Sequence, residues 1–162
     1  MKKLNIALVA HDSRKHELKE WCTHNANWLD KHKLYATGTT ARILSEIMVP
    51  VQKTEGHVSP DCEALPLSVK PLLSGPLGGD SIIGAMIAEG HIDVLIFFCD
   101  NMITQGHQSD VTALTRLASL YNIAFATNRT TADMIVTSPL ITDEQYKMEV
   151  PEVIETYRNR NI

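Results

Sequence analysis

Short apolar runs alternate with stretches of helical periodicity along this chain of 162 residues, and that alternation limits the folds open to it. Apolar runs of strand length occupy residues 4–10, 34–37, 94–98 and 123–127. Helical periodicity predicts helices over residues 13–29, 39–48, 81–89, 110–121 and 131–137. Strands that alternate with helices form right-handed crossovers and a parallel sheet covered on both faces. The pattern therefore predicts an α/β fold: one three-layer (α/β/α) domain with a mainly parallel, Rossmann-like or flavodoxin-like sheet.

Composition and cysteine spacing exclude several classes of protein. The formal net charge of −4 argues against a general nucleic-acid binder, which needs a basic face. The chain has no run of about 18 apolar residues, and its apolar start is too short for a signal peptide, so we expect no membrane association and a cytoplasmic location. Cys22, Cys62 and Cys99 are odd in number and widely spaced, which indicates reduced thiols rather than a disulfide framework or a zinc site.

One segment breaks the alternation. Residues 50–71 show little periodicity and contain Pro60, Pro66 and Pro71. Loops longer than about 12–15 residues in compact domains are usually functional or mobile. We therefore predict an insertion at about residues 53–71 that lies outside the core sheet, either as a lid or interface arm or as a passive insertion. Its removal is expected to leave the protein folded.

A glycine-rich turn precedes the helix predicted over residues 81–89. Gly75, Gly78 and Gly79 give the backbone freedom to curl with its amides pointing inward, and Pro76 stiffens the turn. Such a loop can cradle an anion, and Asp80 stands at its end. The alternative is that Asp80 is an ordinary helix N-cap, whose carboxylate accepts backbone N–H bonds.

Polar side chains follow the predicted strands. Because ligands bind beyond the carboxyl ends of parallel strands, these residues are expected to converge on one rim of the sheet. They are His11, Asp12 and Lys15; Thr37, Gly38, Thr39 and Thr40; Ser74 to Asp80; Asp100, His107 and Asp110; and Asn128. We interpret this rim as a ligand site.

The residue types at the rim favour a phosphate ligand. Hydroxyls and amides at the start of the second predicted helix suit an anion at the positive end of the helix dipole, with Lys15 as counter-charge and Ser74 and Gly75 closing the cup. The plainer alternatives are that Thr39 is an N-cap and Lys15 a surface lysine. The four acids of the rim are expected to repel one another and raise the pKa of at least one of them. His107 is either a hydrogen-bond donor to a carbonyl or enediolate oxygen or an isolated loop histidine.

With these residues assembled, the chain resembles the methylglyoxal synthase family. The resemblance rests on residues 7–12 with Lys15, residues 34–40, 73–80, 84–90 and 93–98, the spacing of Asp100, His107 and Asp110, and residues 126–128 with 131–133. These motifs occur in order from Leu4 to about Ser138 and so cover most of the chain.

The resemblance implies a cofactor-free and metal-free lyase that converts dihydroxyacetone phosphate to methylglyoxal and inorganic phosphate. By resemblance, Asp80 takes a proton from the hydroxymethyl carbon beside the ketone, and His107 hydrogen-bonds the developing enediolate. The residues implied for phosphate binding are Lys15, Thr37, Gly38, Thr39, Thr40, Ser74 and Gly75. Those implied to support and position the reaction are His11, Asp12, Asp100 and Asp110. Family members are homohexamers inhibited by phosphate, so the resemblance also implies a homo-oligomer.

Two features depart from the family pattern, and two other functions stay open. The connection between Thr40 and Ser74 is longer than is usual in the family, and Cys99, Asn101 and Met102 flank an acid where other residues are common. The same fold also serves as a regulatory domain in carbamoyl phosphate synthetase and as the cyclohydrolase part of a purine-pathway enzyme. A regulatory module needs the anion cradle but not the acids. An isomerase of triose phosphates shares the enediolate step and then reprotonates it.

Overall fold

The computed structural model describes residues 1–50, 64–102 and 108–160. Its strands are β1 (Asn5–Ala10), β2 (Lys33–Ala36), β3 (Met48–Pro50), β4 (Ala64–Pro66), β5 (Val69–Pro71), β6 (Val94–Phe98) and β7 (Ala124–Ala126). Five of them form a parallel sheet in the order β5-β2-β1-β6-β7. Strands β3 and β4 form a separate antiparallel pair. The predicted α/β fold with a mainly parallel sheet is confirmed.

Helices connect these strands. They are α1 (Lys15–His24), α2 (Ala26–Leu29), α3 (Gly38–Leu44), α4 (Gly79–Ala88), α5 (Gln108–Leu120), α6 (Arg129–Thr137) and α7 (Glu152–Arg158). Short 3₁₀ helices occupy Asp12–Arg14, Gly75–Leu77 and Pro139–Thr142. Within the three described ranges, no helix has the length and apolar character needed to cross a membrane.

Strand β1 is buried on both faces at the centre of the sheet. Ile6 and Leu8 belong to one apolar cluster with Trp21 of α1, whereas Ala7 belongs to a second cluster with Ile83 of α4. Successive strand residues point to opposite faces, so these two clusters are the two cores between the sheet and its helix layers. Each fully buried Leu or Ile stabilises the fold by roughly 1.5–3 kcal/mol. Packing between the two helix layers holds β1 at the centre of the sheet, so its carboxyl end lies in the middle of the rim where the ligand site was predicted.

Two predicted helices are shorter than expected. The helix predicted over residues 13–29 is a 3₁₀ turn followed by α1 and α2, which separate at Asn25. The side-chain amide of Asn25 donates to the carbonyl oxygen of Trp21 at 2.9 Å, which satisfies a carbonyl at the end of α1. The helix predicted over residues 39–48 ends at Leu44, and Met48 begins β3 instead.

The alternative that Asp80 is the N-cap of its helix is wrong, and the helix predicted to begin at Asp110 begins at Gln108. Gly78 has a φ of 96°, in the left-handed region, and it is the N-cap of α4, so Asp80 lies in the first turn of that helix. Asp110 likewise lies in the first turn of α5. Acids in a first turn favour the helix through its dipole, but their carboxylates are not committed to the cap position.

The prediction that residues 53–71 lie outside the core sheet is wrong for their last five residues, 67–71, whereas β4 pairs only with β3, outside that sheet. Strand β5 pairs with β2 in the register that joins Leu34 to Val69, and it forms one edge of the main sheet. Leu67 is 1% exposed and belongs to the larger apolar cluster. An edge strand tolerates Pro71 because the missing N–H costs no bond inside the sheet. The rest of the predicted insertion, residues 51–63, lies outside the described residues.

Candidate active site

A cleft of about 390 Å³ opens at the carboxyl ends of β1 and β6. Its walls come from these two strand ends, the start of α3, the glycine-rich turn before α4 and the first turn of α5. The lining residues are Val9, Ala10, His11, Asp12, Lys15, Thr37, Thr39, Ser74, Gly75, Pro76, Asp80, Phe97 and Asp110. This is the edge of a parallel sheet at which ligands bind.

The glycine-rich turn places Asp80 at the cleft. The N–H of Gly79 donates to the carbonyl oxygen of Ser74 at 3.0 Å, which closes the turn before α4. A Cβ atom on Gly79 would lie 2.0 Å from the carbonyl oxygen of Leu73, so only glycine fits there. A Cβ atom on Gly75 would lie 2.8 Å from Oδ2 of Asp80. The Asp80 carboxylate therefore packs closely against the bare backbone of Gly75.

A partly buried cation lies beside the hydroxyl groups at the start of α3. The Lys15 ammonium donates to Oγ1 of Thr39 at 2.8 Å and forms an ion pair with Asp12. The Lys15 side chain is only 16% exposed, whereas that of Asp12 is 95% exposed. The buried hydroxyl of Thr37 donates to that of Thr40 at 3.3 Å. Cation, hydroxyls and helix start together create a positive, hydrogen-bonding end of the cleft.

A hydrogen-bonded chain joins the ends of β1 and β6. The Asp100 N–H donates to Nδ1 of His11 at 2.8 Å. The Asp100 carboxylate accepts from the hydroxyl of Ser13 at 2.5 Å and from the N–H of Met102 at 2.9 Å. The Ser13 bond, then the Met102 bond and the charge of Arg14, hold the pKa of Asp100 below its ordinary value. Asp100 is therefore not an acid with the raised pKa that we predicted for at least one of the four, because donors surround it rather than other carboxylates.

The structure gathers most of the predicted site residues into the cleft. Those that line it are His11, Asp12, Lys15, Thr37, Thr39, Ser74, Gly75, Asp80 and Asp110. Gly38 and Thr40 lie next to lining residues but do not line the cleft. Asp100 does not line it either, but its backbone N–H binds the ring of His11, which does. Asn128 instead caps α6, where its side chain accepts the N–H of Thr131 at 2.9 Å. His107 lies outside the described residues.

The apolar floor of the cleft was not predicted. Val9, Ala10 and Phe97 form it, and Val9 is paired with Phe97 in the sheet register. The Phe97 ring meets the His11 ring edge-on, with centroids 5.3 Å apart and planes at 73°. The sequence could have indicated this floor, because its three residues lie at the ends of two strands that the apolar pattern predicts.

Neither a reactive thiol nor a metal cluster accompanies the described part of the site. Cys99 directly follows β6 and is buried, and burial raises the pKa of its thiol to about 11. A thiol with such a pKa is a poor nucleophile at neutral pH. Within residues 1–50, 64–102 and 108–160, no group of three or more His, Cys, Asp or Glu side chains could hold a metal ion.

The fold and cleft define a class of protein: an α/β protein with a small-ligand cleft beyond its strand ends that is lined by a lysine, hydroxyl groups and acids. The chain matches the MGS-like domain over residues 17–127. It is 46% identical to the methylglyoxal synthase of Vibrio campbellii over 148 residues, which cover 91% of this chain and 86% of that protein. It is also 46% identical to the methylglyoxal synthase of Leptospira interrogans over 143 residues, or 88% and 85% of the two chains.

A solved structure gives the same result. The crystal structure of methylglyoxal synthase from Elizabethkingia anophelis NUHP1 superposes with a TM-score of 0.80 at 41% identity, covering 99% of this chain and 93% of that one. The chain belongs to the methylglyoxal synthase family, and it is a lyase. The family resemblance predicted from the sequence motifs is confirmed.

Proposed function

We propose that this chain is a carbon–oxygen lyase that eliminates phosphate from dihydroxyacetone phosphate and forms methylglyoxal. The observation that carries the proposal is the arrangement of one cleft, in which a helix-start acid, Asp80, shares the lining with the Lys15 and Thr39 pair. The names of the relatives support methylglyoxal as the product.

The positive end of the cleft suits the phosphate group. Lys15 supplies a charge and Thr39 a hydroxyl already aligned with it. Within the described residues, neither Thr37 nor Ser74 uses its side chain to cap the helix it precedes, so these hydroxyls are not committed to helix ends. Gly38, Thr40 and Gly75 complete the proposed phosphate-binding set, with His11 beside it. Charge-assisted hydrogen bonds from such a set bind a phosphate without a metal ion.

The reaction itself requires one base. Asp80 takes a proton from the hydroxymethyl carbon, and the electron pair forms an enediolate with the neighbouring carbonyl. The proton of the hydroxyl group on the former hydroxymethyl carbon passes to the enediolate oxygen, that carbon becomes an aldehyde, and the electron pair expels the phosphate as its carbon–oxygen bond breaks. The resulting enol aldehyde tautomerises to methylglyoxal. Asp12, Asp100 and Asp110 support and position these groups, and a donor to the enediolate oxygen is the role that we propose for His107.

Several finer properties belong to the same proposal. We propose a homohexamer, inhibition by the product phosphate, and a reaction that needs no cofactor. We also propose a cytoplasmic location, because Cys22 and Cys99 are free thiols and free thiols suit a reducing compartment. The 162 residues are proposed to form one domain of this family.

Replacing Asp80 tests the proposed function. With dihydroxyacetone phosphate and a chelator present, we expect wild-type protein to release phosphate and methylglyoxal in equal amounts. Asp80→Asn should lower turnover by about 10²–10⁴-fold while phosphate binding survives, because the base is lost and the anion site is intact. Asp30→Asn, at an exposed position after α2, is the matched control and should keep normal turnover.

Product identity separates the alternatives. Formation of glyceraldehyde 3-phosphate without phosphate release would indicate a triose-phosphate isomerase. Tight phosphate binding with no turnover of dihydroxyacetone phosphate would indicate a regulatory module. Normal turnover by correctly folded Asp80→Asn protein would remove Asp80 from the role of base.

A further inference from the structure

The ends of β1 and β6 are tied together by more than sheet hydrogen bonds. The His11 N–H donates to the carbonyl oxygen of Phe98 at 3.2 Å, which extends the pairing of the two strands by one step. The Asp100 N–H then donates back to the His11 ring at 2.8 Å. Ser13, in the 3₁₀ turn after β1, reaches across to the Asp100 carboxylate at 2.5 Å. Backbone, ring and side chain thus form a closed loop between two strand ends.

This ring of hydrogen bonds determines which nitrogen of the His11 imidazole carries the proton. A backbone N–H can only donate, so Nδ1 must present its lone pair to Asp100. The neutral imidazole therefore carries its hydrogen on Nε2 and is a donor through that atom. The edge-on contact with Phe97 fixes the plane of the ring at the cleft. The Nε2–H tautomer is therefore maintained only while the backbone N–H of Asp100 stays within hydrogen-bond distance of Nδ1.

Two donors keep the Asp100 peptide in place. The Met102 N–H binds one carboxylate oxygen of Asp100 and the Ser13 hydroxyl binds the other. The Met102 bond is local, so it shapes the turn but does not attach it to β1. The Ser13 bond spans 87 residues of sequence and is a second side-chain link, beside the His11 ring itself, that anchors the turn to the β1 end.

We infer that Ser13 is a positioning residue for the proposed elimination: its hydroxyl anchors Asp100, whose backbone N–H keeps the His11 imidazole as the Nε2–H tautomer at the cleft. The inference rests on the proposed function for its catalytic meaning. It explains how Asp100 acts on the site without lining the cleft. The lowered pKa of Asp100 fits this inference, because an ionised carboxylate accepts hydrogen bonds from both Ser13 and Met102.

The test separates the hydroxyl from the shape of the side chain. Ser13→Thr keeps the hydroxyl, Ser13→Val has the shape of threonine without it, and Ser13→Ala removes it outright. Ser45→Ala is the matched control, because the Ser45 hydroxyl also makes one exposed hydrogen bond, to the carbonyl oxygen of Arg42 at 2.8 Å. Long-range ¹⁵N–¹H spectra at mildly alkaline pH report the tautomer of each imidazole. Comparison with His11→Gln protein assigns the His11 signals.

We expect a single Nε2–H tautomer for His11 in wild-type, Ser13→Thr and Ser45→Ala proteins, and mixed tautomers in Ser13→Ala and Ser13→Val. Turnover of dihydroxyacetone phosphate should fall about 3- to 10-fold in the last two, in kcat more than in KM, as for the loss of one hydrogen bond. An unchanged His11 tautomer in folded Ser13→Ala and Ser13→Val proteins overturns the inference. Since the spectra need no substrate, wild-type protein that lacks lyase activity but shows the Ser13-dependent tautomer refutes the proposed function alone.

Discussion

Replacing Gly75 by alanine should damage the reaction without damaging the fold. The new Cβ atom would lie 2.8 Å from Oδ2 of Asp80, and ordinary contact begins at 3.4 Å, so the carboxylate must move by about 0.6 Å. Misplacing a reacting group by about 1 Å costs on the order of 10²-fold in rate. We therefore expect kcat to fall on the order of 10- to 10²-fold.

The stability of the same variant should move in the other direction. The φ angle of Gly75 is not in the left-handed region, so alanine adopts its backbone conformation without strain. A compatible Gly→Ala change stabilises a protein by about 0.4–1 kcal/mol, because it restricts the unfolded chain. Thermal unfolding should therefore show an unchanged or slightly higher Tm beside the lost activity.

Steady-state kinetics and two further variants complete the assay. In Gly84→Ala the new Cβ atom meets the ends of two flexible side chains, Leu117 at 3.0 Å and Leu114 at 3.8 Å, so kcat should be normal. In the Asp80→Asn background, Gly75→Ala should have little additional effect, because the base that it displaces is already absent. An equal loss of rate in both backgrounds would refute displacement of Asp80 as the cause.

Three further predictions concern stability. First, burial is the main cause that lowers the pKa of His32, so the unfolded state binds a proton more readily than the folded state. The free energy of unfolding should therefore decrease as pH falls below about 6.5, with a slope of at most about 1.4 kcal/mol per pH unit. The variant His32→Gln should reduce this slope in urea titrations. Second, Pro50 and Ala64 are register partners, so replacing residues 51–63 by Asn-Gly should preserve the melting temperature, whereas a deletion that extends into β5 should not. Third, inorganic phosphate at 100 times its Kd should raise the free energy of unfolding by about 2.7 kcal/mol, and identical melting curves with and without phosphate would count against an anion site.

The parts of the fold that could be predicted are those buried on both sides. Strand β6 is apolar at all five positions because helices cover both faces of the sheet, and that run is visible in the sequence. Strand β5 left no such signal. It has three residues, includes Lys70 and Pro71, and lies at a sheet edge where polar side chains and proline cost little.

The location of the candidate site could be predicted from the sequence, but the orientations of its side chains could not. Strand ends indicate which residues gather at the rim, yet they do not determine where each side chain points. Asp100 follows β6 as expected but binds Ser13 and Met102 instead of lining the cleft. The position of Asp80 depends on whether Gly78 or Gly79 takes the left-handed conformation, and adjacent glycines give no sequence signal for that choice.

The central position of β1 has a consequence for the order in which the protein can be made. Its neighbours in the sheet are β2, which follows soon after it, and β6, which comes much later in the chain. The bond from Asp100 to His11 spans 89 residues. A chain emerging from the ribosome therefore carries β1 with one open, apolar edge until β6 has been synthesised, and contacts this distant in sequence form slowly. The ligand cleft lies at the ends of β1 and β6, so it forms only when β6 pairs with β1. During synthesis, the site therefore appears at the same step that completes the centre of the sheet.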